Sequence, residues 1–145
     1  MPIVEYPFQA QGPFSEPSPI LPVRIGNPDN NSDFPTWALV DTRATSCTIP
    51  GWIAEVIGLD VYNAPSYPGS TGGGAAPVYL HTCRIEIFEM DNTGHVTDNV
   101  IITIQDTEMP VLENLPVALL GVNEFLEQYI LTVDYPRQVF SIRRP

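Results

Sequence analysis

Proline occupies sixteen of the 145 positions in this chain, which is about twice its usual share of ~5% in proteins. Proline has no backbone N–H and a fixed φ, so it breaks helices and is confined within sheets to edges, strand ends and bulges. Long helices are therefore excluded over most of the chain. The prolines punctuate the apolar runs at short intervals, so we predict an all-β domain of short strands joined by turns, with one or two short helices.

The length and hydrophobic content indicate one folded domain, and the charge limits its partners. A chain of 145 residues with 43% hydrophobic residues can bury a core, so a disordered protein is excluded. The formal net charge is −11, with six arginines and no lysine. Such a surface repels nucleic acid backbones and anionic membranes, so we predict neither as a partner.

The sequence contains no sign of membrane or secretory targeting. No apolar run approaches the roughly 20 residues of a membrane span, and residues 1–6 lack the basic and apolar regions of a signal peptide. The two cysteines, Cys47 and Cys83, are too few for a disulfide framework and fit a reducing compartment. Cysteines and histidines also lack metal-site spacing, so we expect a soluble, cytoplasmic protein with no metal and no cofactor.

The remaining pattern divides the chain into an arm and one domain. Residues 1–19 contain five prolines and are predicted to form an extended N-terminal arm, and residues 20–145 a single domain. Helical spacing of apolar residues predicts a short helix at 51–59, and the Gly, Ser and Pro content of 65–77 is typical of a loop. Short apolar or alternating runs predict strands at 20–25, 37–40, 78–88, 96–104, 117–120, 130–133 and 139–142, with a second helical piece at 122–128.

An acidic residue, Asp41, directly follows the apolar run 38–40. Partial burial at the end of such a strand raises the pKa of a carboxyl group and makes proton transfer near neutral pH feasible. The alternative is structural, because an aspartate side chain also caps a turn by accepting hydrogen bonds from nearby backbone amides. This segment alone leaves both interpretations open.

The order of motifs along the chain resembles the retropepsin family, the retroviral-type aspartic proteases whose subunit is a single lobe. Residues 39–45 match the family's apolar-apolar-Asp-Thr-Gly-Ala-Ser/Thr signature except at Arg43, where the family has glycine. Residues 119–121 resemble its second signature, two apolar residues followed by glycine and a short helix. Between them lies a glycine-rich segment, 70–74, where the family carries its flap, and 131–142 look like the closing strands of bacterial single-lobe members.

The resemblance covers roughly residues 20–142, and it implies an all-β, retropepsin-like acid protease barrel that works as a two-fold homodimer. Each chain carries one Asp41, so two copies would build a dyad in which close like charges keep one carboxylate protonated. The implied activity is an aspartic endopeptidase that hydrolyses a peptide or protein substrate through an activated water. The residues it implies are Asp41 and Thr42 as catalytic, Arg43, Ala44 and Thr45 as active-site loop, Thr71, Gly72, Gly73 and Gly74 as flap, and Leu120 and Gly121 as support.

Arg43 is the departure from the family pattern. Glycine at this position permits a close backbone approach and unusual backbone angles, whereas arginine adds bulk and a fixed positive charge beside Asp41. Three outcomes are open: an inactive dimer held by Asp41–Arg43 pairs, a slower enzyme with Arg43 turned outward, or a loop that rearranges when a substrate or partner arrives. The alternative function is a catalytically inactive dimerisation or peptide-binding module. The sequence would also look like this if Arg43 were an introduced substitution that silences an active protease.

Other chemistries are less well supported. A cysteine hydrolase would need Cys47 beside His81 or His95, but Cys47 has the surroundings of a small core residue. Trp37 and Trp52 are likewise predicted to lie in the core rather than to stack on a ligand.

Overall fold

The structure is a computed structural model that describes residues 3–71 and 74–145. This part of the chain contains one short α-helix, two 3-10 turns and strands that supply nearly all of the regular structure. The strands are β1 Ile3–Pro7, β2 Ile20–Gly26, β3 Asp33–Val40, β4 Ile49–Pro50, β5 Ser66–Thr71, β6 Gly74–Met90, β7 Val96–Leu112, β8 Ala118–Leu120, β9 Ile130–Asp134 and β10 Val139–Arg143. The helix α1 is Gly51–Val56, and the 3-10 turns are Val61–Asn63 and Leu126–Gln128.

The main sheet curls into a nearly closed barrel. Its strand order is β4-β7-β6-β2-β3-β8, with β5 paired to β6. The pairs β3–β8 and β4–β7 are parallel, and the other pairs are antiparallel. Thr48, next to β4, exchanges two backbone hydrogen bonds with Leu119 of β8, with N···O distances of 2.9 and 3.0 Å. This bridge joins the two ends of the sheet, so their backbone groups are paired rather than left at open edges.

The long hairpin β6–β7 shows the alternation that the sequence predicted for its first strand. Cys83, Ile85 and Ile87 point into the core and are at most 1% exposed. Arg84 lies between them on the outer face and pairs with Asp106 of β7 at 2.8 Å. The period-2 pattern of apolar and charged residues therefore sets which face of β6 meets the core.

A second, three-stranded sheet joins the two ends of the chain in the order β1-β10-β9. The predicted N-terminal arm contains β1 near its start, and β1 pairs antiparallel with β10. Ile3 is fully buried, and the buried Tyr6 hydroxyl accepts a hydrogen bond from the Met90 N–H at 3.0 Å. The arm is therefore anchored to the core through apolar packing and one buried hydrogen bond.

The interpretation of 65–77 as a loop was wrong for the part that the structure describes. β5 and the first residues of β6 form an antiparallel hairpin there. Pro68 lies opposite Pro77, so the two missing N–H groups fall at one rung of the ladder and the remaining rungs keep their donors. β7 is also longer than predicted, because residues 107–112 continue the pairing with residues 78–83 of β6.

The two short helical predictions had different outcomes. α1 forms and ends before Gly58, whose φ of +76° is in the left-handed region expected after a helix. The segment 122–128 consists of turns and a single 3-10 turn rather than an α-helix. No helix in the described part of the chain is long and apolar enough to cross a membrane.

The prediction that Trp52 is a core residue was also wrong. α1 lies on the outside of the barrel, and its buried side chains are Ile53 and Ala54. Trp52 lies on a more exposed face of the helix and is 42% exposed. Its ring packs edge-on against Phe34, with 5.4 Å between the ring centroids. Trp37 is partly buried against the core.

Candidate active site

Asp41 lies at the end of β3, where this strand runs parallel to β8. Val40, the last residue of β3, pairs with Leu120 of β8. The Asp41 N–H donates to the Leu120 carbonyl at 3.0 Å, and the Asp41 residue is partly buried. A carboxylate is therefore held at the rim of the barrel, directly after a strand whose inward side chains are buried.

The loop that follows Asp41, residues 41–47, is attached to both sides of β8. On one side β3 pairs with β8, and on the other side Thr48 bridges to Leu119. β8 therefore runs between the two ends of the loop. This arrangement fixes both ends of the loop against one strand, so the position of Asp41 depends on how β8 is placed.

Hydrogen bonds within the loop give Asp41 the turn-capping contacts that the sequence left open. Asp41 Oδ1 accepts the backbone N–H of Arg43 at 2.9 Å, and the Asp41 carbonyl accepts the N–H of Ala44 at 3.3 Å. The loop also binds to the turn after β8, because the Ala44 carbonyl accepts the Val122 N–H at 3.0 Å. Capping the turn and presenting a carboxylate are compatible, since a carboxylate has further lone pairs.

Gly121, directly after β8, lies close to the backbone of the loop. A Cβ built at position 121 would lie 2.4 Å from the Ser46 carbonyl oxygen and 2.7 Å from the Ala44 carbonyl oxygen. The Gly121 N–H points to the Sγ of Cys47 at 3.4 Å, and the preceding Leu120 is fully buried. Only glycine fits this approach of two backbone segments without a displacement.

Arg43 is accommodated in the single chain without backbone strain. Its φ lies outside the left-handed region, and its side chain is exposed, as is that of Thr42. Among the residues that the structure describes, the Arg43 guanidinium makes no ion pair. The hydrogen bond that links Arg43 to the Asp41 carboxylate therefore comes from the backbone N–H, while the side chain is exposed.

The hairpin β5–β6 projects beyond the barrel. Val78 is the first residue of β6 that pairs with β7, and it lies opposite Leu112. The preceding residues, 74–77, pair with β5 alone. Thr71 pairs with Gly74 at the far end, and the predicted flap residues Gly72 and Gly73 lie outside the described residues. The part of the hairpin beyond Val78 therefore has two strands only, without the support of β7.

Sequence reasoning missed Glu124, whose carboxyl group lies next to Ser46 and Cys47 of the loop. Its Oε2 atom is buried and has no hydrogen-bond partner among the described residues. Burial raises the pKa of Glu124, although the backbone of Cys47 and the hydroxyl of Ser46 act to lower it. The available signal was an acidic residue directly before the apolar pair 125–126, which the structure buries.

The cysteine hydrolase alternative is not supported by the geometry. Cys47 is fully buried, and burial raises the pKa of its thiol to about 12, so the thiol is not activated as a nucleophile. His95 lies in the β6–β7 turn, where Nδ1 is 2.7 Å from Thr93 Oγ1. Within 3–71 and 74–145, no group of three or more His, Cys, Asp or Glu side chains is arranged to hold a metal ion.

Comparison with known proteins identifies the fold. No protein-family model and no curated protein matches the chain. Among solved structures, the chain is similar to a retropepsin-like aspartic protease from Rickettsia conorii, with a TM-score of 0.58 and 15% sequence identity over 98% of this chain and 90% of that chain. The predicted retropepsin-like, all-β fold is therefore confirmed.

Replacing Gly121 by alanine is expected to lower the free energy of unfolding by about 3 kcal/mol or more, because the new methyl group meets backbone atoms that no side-chain rotation can move. Gly26→Ala is the matched control, since its Cβ would have no neighbour closer than 3.9 Å and should change stability by less than about 1 kcal/mol. Urea unfolding followed by tryptophan fluorescence measures both. Equal effects of the two substitutions would contradict the close packing of β8 against the loop.

Glu124→Gln is expected to stabilise the protein at neutral pH. The folded-state pKa of Glu124 is raised, so the neutral carboxyl contributes its full stability below the ordinary value of 4.5, and this contribution is lost as the pH rises through the folded-state pKa. The advantage of glutamine should therefore grow between pH 4.5 and neutral pH. Glu16→Gln, at an exposed position in the arm, should show no such trend in urea unfolding. A pH-independent difference for Glu124→Gln would show that its carboxyl is not buried.

Proposed function

We propose that this chain is one subunit of a homodimeric aspartic endopeptidase in which Asp41 is the catalytic residue. The observation that carries the proposal is the placement of a carboxylate at the end of a buried strand, in a loop anchored on both sides of β8. A proton-transfer group has to be held within a fraction of an ångström of its working position, and two strand attachments supply that rigidity. The retropepsin-like fold adds support, because the site lies in the part of the chain that carries the resemblance.

The chemistry needs two carboxylates, and each chain supplies one. Two copies related by a two-fold axis would bring their Asp41 side chains together, and one of the pair would stay protonated because two close negative charges repel. The ionised carboxylate removes a proton from water, and the water oxygen forms a bond to the carbonyl carbon of the substrate. The protonated carboxyl polarises the carbonyl oxygen, and the C–N bond then breaks as a proton passes to the leaving nitrogen.

The dimer would also give roles to Thr42 and to the projecting hairpin. The exposed side chain of Thr42 is available to form a hydrogen bond with the partner subunit and to align the two loops. The hairpin β5–β6, whose last described pair is Thr71 with Gly74, would close over an extended peptide as the flap that the sequence predicts for Thr71, Gly72, Gly73 and Gly74. Closure excludes water and strengthens the electrostatic interactions at the dyad.

Arg43 is expected to reduce the rate rather than to abolish it. Its exposed side chain and unstrained backbone support the outcome in which it turns away from Asp41. In a dimer, however, two guanidinium groups would lie near two aspartates. Their charge favours the ionised form of both carboxylates and so lowers the fraction of dyads that share a proton.

Incubation with a diverse peptide library from about pH 4 to 7, the range over which a dyad titrates, tests the proposal. The chain should cut peptides, Arg43→Gly should raise kcat by about tenfold or more, and Asp41→Asn should abolish turnover. Cleavage by the glycine variant alone would mean a complete site silenced at one position. If neither protein cuts while both remain folded dimers, the protease function is wrong and a non-catalytic peptide-binding module takes its place.

A further inference from the structure

A cleft of about 420 Å³ opens on the outside of the barrel between α1, the 3-10 turn 61–63, β6 and β7. Its deeper lining is apolar, because Leu59 and Val111 are buried. Aromatic rings of Trp52, Tyr62 and Tyr79 surround the opening, and the two tyrosine rings meet edge-on at 5.7 Å. The cleft therefore combines buried apolar residues with aromatic side chains.

Two carboxylates belong to the same cleft. Glu55 comes from α1, and Glu113 follows β7. The Tyr62 hydroxyl donates a hydrogen bond to Glu113 Oε1 at 2.9 Å, and the negative charges of both glutamates act on this hydroxyl. The pocket thus combines aromatic faces, which attract cations, with two groups that carry negative charge.

The surface around the cleft exposes three large apolar or aromatic side chains. Trp52 is 42% exposed, Tyr62 is 70% exposed, and Val56, one helical turn after Trp52, is 60% exposed. Exposed aromatic and aliphatic groups gathered at a pocket mark binding surfaces rather than ordinary surface. None of the residues that line the cleft belongs to the loop 41–47.

We propose that this cleft binds an arginine or lysine side chain of a separate polypeptide, at a site distinct from Asp41. The aliphatic stem of a basic side chain would cover the apolar lining, its cation would face the aromatic rings, and Glu55 and Glu113 would pair with it. A purely apolar occupant would bury the carboxylates without compensation, and an acidic occupant would be repelled. The net charge of −11 attracts a basic partner at long range.

The arginines of this chain do not occupy the cleft. Arg24, Arg84 and Arg137 are paired with carboxylates elsewhere, and Arg144 lies over the ring of Tyr129 at 5.6 Å. No arginine is among the residues that line the pocket. The cation therefore has to come from another molecule.

The cleft lies next to the base of the projecting hairpin β5–β6. Tyr79 pairs with Ser66 of β5 and with Val111 of β7, so this wall lies where the projecting hairpin leaves the barrel. A partner held there would sit at the base of the element that we propose as the flap. The binding itself does not depend on the chemistry at Asp41, so the two proposals can fail separately.

The experiment is a fluorescence titration of the full chain carrying Trp37→Phe, which leaves Trp52 as the single tryptophan. The probe is a short blocked peptide of glycine, leucine and two arginines, and its comparison has glutamate in place of arginine. The arginine peptide should change the Trp52 emission to saturation. Glu55→Gln with Glu113→Gln should weaken its binding by about tenfold or more. The matched control, Glu16→Gln with Glu108→Gln, removes the same charge at exposed positions outside the cleft and should change the affinity by less than about twofold.

Several outcomes would overturn the proposal. Equal binding of the glutamate peptide, equal weakening by the two double variants, or no saturable response to the arginine peptide would each exclude a site for a basic side chain. Sedimentation in parallel tests whether a second copy is the occupant. If Trp52 emission changes on self-association without peptide, and Arg143→Gln with Arg144→Gln removes that change, the cleft belongs to an interface between copies of this chain.

Discussion

The contact between Gly121 and the loop 41–47 is the constraint on which the rest of the site depends. The backbone at Gly121, directly after β8, passes so close to the carbonyl groups of Ala44 and Ser46 that no side chain fits between them. This approach lets β8 pair with β3 on one side and with Thr48 on the other. The same bridge at Thr48 nearly closes the barrel, so the closure of the sheet and the position of Asp41 have one physical origin.

Two carboxylates, those of Asp41 and Glu124, lie at the loop 41–47 in different surroundings. Asp41 faces the rim, whereas Glu124 lies behind the loop with one buried carboxylate oxygen that has no partner in the described part of the chain. The neutral form of Glu124 packs with less penalty than the charged form, since an unpaired buried charge is costly. Arg43 forms no ion pair with either carboxylate among the residues that the structure describes, and its side chain is exposed.

The sequence predicted most of the fold because its strongest signals are local. The alternation in 78–88 and the apolar runs at 20–25 and 37–40 depend on each strand's own faces, so the pattern is visible without its partners. The hairpin at 65–77 was missed because it is made by pairing to β6, and its Gly, Ser and Pro content resembles a loop. Trp52 was assigned to the core because a six-residue helix is too short to show which of its faces is buried.

The candidate site was predictable only in part for the same reason. Asp41 and Gly121 stood out because a polar residue and a glycine interrupt apolar runs at motif positions. Glu124 did not, because its partial burial follows from the packing of two distant segments. The cleft beside Trp52 likewise combines residues from α1, β6 and β7 that are far apart in the sequence, so no local sequence pattern predicts it.

The central claim is that one carboxylate per chain makes the dimer the active unit. The most direct measurement is the specific peptidase activity as a function of protein concentration, recorded beside sedimentation equilibrium on the same samples. We predict that activity per chain rises in proportion to the fraction of a species with twice the 16.0 kDa of one chain. Activity per chain that stays constant while the protein sediments as a monomer would contradict the account.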